Sequence, residues 1–209
     1  YKIQGSIKDA SINLLNKANF KNINFNFNLQ KDNYFFNEIN FKAEEVNFIS
    51  KKLNVKKKKN SFLIDAIVEN DQSSLNSNIL KLLNLSFENI IIDDAKFKTN
   101  NEFSLEIDEK FKVKNIILNS DINITQLKYK KLKIINNYFP EVDDIILLDN
   151  HKLNLNYKDN NLSINGQGQI QFNTQEVDEI KYFINKKDED LSIDSVLFLK
   201  NMVLNQQDF

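Results

Sequence analysis

Between Asn22 and Leu29 asparagine and large apolar residues alternate without a break. In a strand successive side chains point to opposite faces, so Ile23, Phe25, Phe27 and Leu29 share one face while the asparagines line the other. The same beat returns at Ile39 and Phe41, at Val46 and Phe48, at Leu53 and Val55, and at Phe62, Ile64, Ala66 and Val68. A chain with this pattern has to be mostly β, because a helix would scatter the same residues around its circumference. Short apolar-alternating runs about ten residues apart, separated by polar turns, predict an antiparallel meander. Lys31-Asp32-Asn33 and Asp159-Asn160 are its clearest turn sequences.

The beat breaks in two places, and these predict two short helices. Over Ser73–Asn84 the residues Leu75, Ile79, Leu82 and Leu83 fall at helical spacing, with Ser73 or Ser74 as the cap. Over Thr174–Lys187 the stripe is Val177, Ile180 and Ile184, with acidic residues early and Lys186 and Lys187 late. A helical turn is expected at Lys131–Phe139, limited by Pro140. The remaining runs read as strands, including Val46–Ile49 and Leu53–Lys56 as two separate ones, and likewise Ile145–Leu148 and His151–Lys158. With no linker rich in Pro, Gly or Ser, residues 1–209 are expected to form a single continuous β-rich segment.

Composition narrows the function. The 28 basic and 29 acidic residues nearly cancel, and every basic residue is Lys. Without the Arg fork, recognition of phosphate or guanine is disfavoured, and no nucleic-acid partner is expected. Cysteine is absent and His151 is the only histidine, which leaves no Cys–His pair and no multi-His zinc site. His151 itself reads as a surface residue at a strand start. The acidic clusters Asp93-Asp94, Asp143-Asp144 and Asp188-Glu189-Asp190 lack a calcium-loop pattern and read as solvated turns. Lys56–Lys59, with Lys51 and Lys52, is the one basic block; it reads as a solvated face guarding a sheet edge, with anionic headgroups as the sharper alternative. No enzyme activity and no cofactor are expected.

Gly166 and Gly168 share parity with Ile164, Ile170 and Phe172, so two side chains are missing from that strand's apolar face. A bend accounts for this, and space for an acyl chain is the sharper reading. The apolar face as a whole is either the core of a sandwich or the lining of an open groove, and periodicity is the same in both. The chain begins at Tyr1 in mid-pattern and reads as a fragment of a longer protein.

Gly5-Ser6-Ile7-Lys8-Asp9-Ala10-Ser11-Ile12, the Asn-rich meander, Tyr138-Phe139-Pro140 through Asp149-Asn150-His151-Lys152-Leu153, and Leu155 through Gly168 resemble AsmA-like proteins of the bacterial envelope. That resemblance implies an elongated sheet curved lengthwise into an apolar groove, similar to bridge-like lipid-transfer proteins. It implies an inner-membrane anchor outside this segment, a periplasmic location, possible envelope-protein partners and phospholipid as cargo on the way to the outer membrane. The residues expected to line such a groove are Ile23, Phe25, Phe27, Leu29, Ile39, Phe41, Phe62, Ile64, Ile164, Gly166, Gly168 and Ile170. The competing reading is a structural or adhesive β-domain with a closed core and an Asn-rich face that meets other proteins.

Overall fold

The computed structural model describes residues 2–14, 18–82, 90–92, 94–130, 144–172, 177–188, 190–198 and 200. Thirteen strands form one sheet. In chain order they are β1 (Lys2–Leu14), β2 (Ala18–Gln30), β3 (Asn33–Ala43), β4 (Val46–Lys57), β5 (Ser61–Ser74), β6 (Ile90–Ile91), β7 (Lys96–Asp108), β8 (Val113–Thr125), β9 (Leu127–Lys130), β10 (Ile145–Lys158), β11 (Asn161–Gln171), β12 (Asp178–Lys187) and β13 (Asp190–Phe198). The main path is β1-β2-β3-β4-β5-β7-β8-β10-β11-β12-β13, antiparallel throughout, with β6 paired to β9 and β9 to β10 at one side. The sheet is curved and does not close on itself, so β1 and β13 are its edges. Ten interstrand steps at about 4.8 Å make the path roughly 48 Å across.

The strands are longer than the sequence beat suggests, because β-bulges carry the chain through places where the alternation slips. One slip lies between Ile49 and Lys52, and another between Asp149 and Lys152. Each joins two expected short strands into one. Asp9, Asn22, Glu38, Asn115 and Asn150 occupy such irregularities with φ between 51° and 53°. Asn and Asp are the non-glycine residues that tolerate this left-handed conformation best. None of the glycines has positive φ, so here asparagine, aspartate and glutamate take most of the left-handed positions at turns and bulges. The hairpin turns Glu44-Glu45 and Asp159-Asn160 have positive φ at both positions, the geometry that matches strand twist.

A bulge leaves backbone groups without ladder partners, and asparagine side chains replace them. Asn70, only 1% exposed, precedes the slip between β5 and β7. Its Oδ1 accepts from Thr99 N at 2.9 Å and from Thr99 Oγ1 at 2.7 Å, and its Nδ2 donates to Asp71 O at 2.6 Å and Phe97 O at 3.3 Å. Asn24 does similar work nearer the edge: its Oδ1 accepts from Asp9 N and its Nδ2 donates to Asn22 O, at the bulges of β1 and β2.

Helix content differs from expectation. Only one helix, α1 (Ser77–Leu82), occurs among the described residues. Its cap is Asn76 rather than Ser73 or Ser74, which belong to β5; Asn76 Oδ1 accepts from Asn78 N and Ile79 N, both at 3.0 Å. Asn76 Nδ2 also donates to Glu44 O, which moors the helix to the β3–β4 turn. The expected helix over Thr174–Lys187 is wrong where it can be described: Asp178–Lys187 is β12, hydrogen-bonded to β11 and β13. Ile180, Tyr182 and Ile184 alternate as well as a helical stripe would repeat, and pairing on both sides selects the strand. The turn at Lys131–Phe139, Pro140, Thr174 and Leu83-Asn84 lie outside the described residues.

Asn70→Leu is expected to destabilise the sheet by about 2–4 kcal/mol, since it strands the buried Thr99 amide and Phe97 carbonyl without partners. Urea unfolding should show this as a lower midpoint with an unchanged slope.

Candidate functional site

Cross-strand partners place their side chains on the same face of the sheet. Leu29, Phe27 and Phe25 oppose Ile3, Gly5 and Ile7, and Phe27 also opposes Phe36. Phe41 opposes Phe48, Val55 opposes Ile64, and Ile64 opposes Leu105. Phe103 leads to Leu118, Leu118 to Tyr157, Leu155 to Ile164, and Ile164 to Ile184. One apolar face therefore runs from β1 to β13. All twelve residues expected from the sequence lie on it, in three groups: Ile23, Phe25, Phe27, Leu29, Ile39 and Phe41 on β2–β3; Phe62 and Ile64 on β5; and Ile164, Gly166, Gly168 and Ile170 on β11. From β2 to β11 is seven steps, roughly 34 Å.

Aromatic rings pave the face near β1. Phe25 meets Phe36 edge-on at 5.6 Å, Phe20 meets Phe41 at 5.7 Å, and Phe41 stacks on Phe48 at 5.4 Å. Such contacts contribute about 0.5–1.5 kcal/mol each beyond area burial. One corner is covered by α1, whose Ile79 packs on Val46 and Phe97, flanked by Phe48, Leu75 and Ile124. No second sheet lies on this face among the described residues. Most of its side chains are half-buried, and near the edges Ile3, Ile12, Leu191 and Ile193 are more than half exposed.

The face is not a uniform stripe. Asn70, Thr99, Asn101 and Ser120 form a polar band in its middle, on β5, β7 and β8. Asn101 Nδ2 donates to Thr99 Oγ1 and Val68 O, which closes the network begun by Asn70. Sequence reading missed this band because it registers only apolar recurrence; the shared parity of Thr99, Asn101 and the flanking Phe97 and Phe103 was the available signal.

The glycines correct two expectations at once. A Cβ on Gly166 would lie 2.1 Å from the Tyr182 ring, and one on Gly168 would lie 2.4 Å from the His151 ring. Gly5 is covered in the same way by Phe27, at 2.5 Å. The space above β11 is thus filled by this chain's own rings, and the glycines serve close approach rather than backbone freedom. His151 is 5% exposed, so it is not a surface residue. Its Nε2 lies 3.0 Å from Gln169 O and its Nδ1 lies 3.2 Å from Tyr182 Oη. Burial pushes the His151 pKa down, against smaller opposing contributions from Gln169 O and the Asp149 charge. Burial pushes the Tyr182 hydroxyl up to about 12. Missing β12 as a strand hid Tyr182 from the sequence reading.

The opposite face is mainly polar, with Ile49, Ile67 and Phe183 exposed among its asparagines and charges. Asn24 Nδ2 donates to Asn40 Oδ1 and Asn26 Nδ2 to Glu38 Oε2, and Asn154 Nδ2 donates to Asp121 Oδ1. A groove of about 880 Å³ crosses β8 to β13. Its lining is three consecutive residues from each strand, and it is mixed in character: Phe183 and Val196 stand among the asparagines and charged side chains. Lys152 and Lys181 stand on one wall, Asp121 and Asp194 on the other. Among the described residues no three potential metal ligands cluster, and no helix is long and apolar enough to cross a membrane.

Comparison with known proteins matches no family model, no curated protein and no solved structure.

Two measurements check the aromatic–glycine pairs. Gly166→Val should expel the Tyr182 ring and lower stability by about 1–3 kcal/mol, seen in urea unfolding and as lost protection of β12 amides. The lowered His151 pKa means the unfolded chain binds this proton more readily. Its contribution is therefore complete above pH 6.5, the ordinary value, and is lost as pH falls below it. His151→Gln should flatten the pH dependence of the urea midpoint between about pH 7 and 5.5.

Proposed function

We propose that the chain is a non-enzymatic lipid-binding segment whose apolar sheet face carries acyl chains. The observation that carries this reading is the pairing of a mainly apolar face, interrupted by the polar band on β5, β7 and β8, with a sheet that stays open, one strand deep. Large contiguous apolar surface of this kind is uncommon unless it binds something. An acyl chain laid across it would gain about 0.8 kcal/mol per buried methylene, with the headgroup left in water at the rim. The resemblance to AsmA-like envelope proteins points the same way and adds phospholipid, the periplasm and an inner-membrane anchor elsewhere in the protein as part of the proposal. The half-buried aromatic paving of β2–β4 would supply a smooth surface without a deep trap.

A second reading draws on the polar face. Its groove across β8–β13, with lysines facing aspartates, suits contact with another protein, which would make the chain a structural or adhesive β-domain.

Native mass spectrometry with lipid extraction separates the two. Ile64 and Ile67 sit on one strand with opposite parity; Ile64→Asp should abolish co-purifying phospholipid while Ile67→Asp retains it. A folded protein free of lipid, or equal loss in both variants, would reject the acyl-chain reading.

A further inference from the structure

Three neighbouring turns on one rim of the sheet form a rigid basic platform with a single aromatic ring at its tip. They join β2 to β3, β4 to β5 and β7 to β8, and carry Lys31, Lys56, Lys57, Lys58, Lys59, Lys110 and Lys112. Hydrogen bonds lock them together. Lys57 N donates to Asp32 O at 2.7 Å, Lys58 N to Ser61 O at 2.8 Å, and Lys58 Nζ reaches Glu106 Oε2 at 3.4 Å. Glu106 also accepts from Ser61 Oγ and from Asn115 Nδ2, and the Ser61 bond foremost holds its carboxyl below the usual range.

The β7–β8 turn is organised by Asp108. Its Oδ1 accepts from Lys110 N and Lys112 N, both at 2.9 Å, and its Oδ2 pairs with Lys114 Nζ at 2.8 Å. Phe111 N donates to Asp108 O. The result holds Phe111 outward, 86% exposed, with φ 58°. A bulky aromatic in the left-handed region costs about 1–2 kcal/mol, and the ring itself contributes no packing in return, since it lies almost wholly in solvent. Lys56, Lys57, Lys59, Lys110 and Lys112 make no ion pair with a described residue. The nearby acidic groups are Asp32, Glu106, Asp108 and Glu109; two of these are already engaged by Lys58 and Lys114.

We propose that this rim docks on an anionic lipid surface, with the free lysines on headgroup phosphates and the Phe111 ring inserted at the boundary with the acyl chains. A protein partner would ask for an apolar patch of several hundred Å² at the centre of the contact. The Phe111 ring, flanked by Lys110 and Lys112 with the half-exposed Val113 beside it, instead matches interfacial insertion, where each lysine near the surface adds attraction and the aromatic body leaves water. This docking goes beyond the groove reading and stands whether or not the apolar face carries lipid.

Vesicle co-sedimentation tests it, with phosphatidylcholine alone against phosphatidylcholine containing about one-third phosphatidylserine. The protein should sediment with the anionic vesicles only, and salt should weaken the binding. Lys110→Gln and Lys112→Gln should each weaken it about fivefold. Phe111→Gly should weaken it about tenfold while raising the urea midpoint, because glycine relieves the left-handed strain. That opposite movement of binding and stability is not expected of a turn residue with a purely structural role. Equal binding to both vesicle types, no binding to either, or undiminished binding by Phe111→Gly would overturn the proposal. Retention on immobilised polyglutamate without vesicle binding would also overturn it, by assigning the rim to an acidic protein.

Discussion

A sheet one layer deep depends on keeping two demands satisfied together: every backbone amide needs a lateral partner, and every strand must present its apolar parity to the same side. In strands of 11 to 14 residues a single slip of phase would turn half of the apolar side chains into water. This chain absorbs its slips in bulges. Left-handed Asp9, Asn22, Glu38, Asn115 and Asn150 add the extra residue, and Asn24 and Asn70 bond the backbone groups that the ladder drops. Bulges also increase local twist and bend the strand that holds them, which accounts for a curved sheet rather than a flat one. The abundance of asparagine thus has a structural use on both levels.

The stretches whose alternation is unbroken were legible in the sequence, as Phe25–Leu29 of β2, Phe62–Val68 of β5 and all of β11 illustrate, and so was the Asp159-Asn160 turn. The joins were not. Leu53 and Ser50 share a face three residues apart across a bulge, a spacing that imitates a strand end or a helical step. Asp178–Lys187 shows the harder limit: Val177, Ile180 and Ile184 fit a helix, Ile180, Tyr182 and Ile184 fit a strand, and only the partners on either side decide. The candidate face was legible for the same reason as the strands, since parity alone assigns it. Its polar band was written in the parity of Thr99 and Asn101 with Phe97 and Phe103. But that those residues meet Asn70 and Ser120, and that rings cover the three glycines, depends on which strand lies next to which, and the local sequence carries no record of that.

The two faces and the rim divide the chemistry among them. Apolar side chains collect on one side, amide ladders and a charged groove on the other, and lysines with one exposed ring gather at the hairpin tips. Even His151 and Tyr182 fit this division: both cover glycine backbone, and their displaced pKa values follow from that burial.

Along the main path each strand touches its neighbours in the chain and little else. Such a stack is nearly one-dimensional, so its free energy is a sum of hairpin and interface contributions rather than a property of one central core. Opening can begin at either edge and advance strand by strand. The same arrangement lets evolution lengthen or shorten the array by whole hairpins, with each insertion asking only that the new pair keep the parity of the strands beside it.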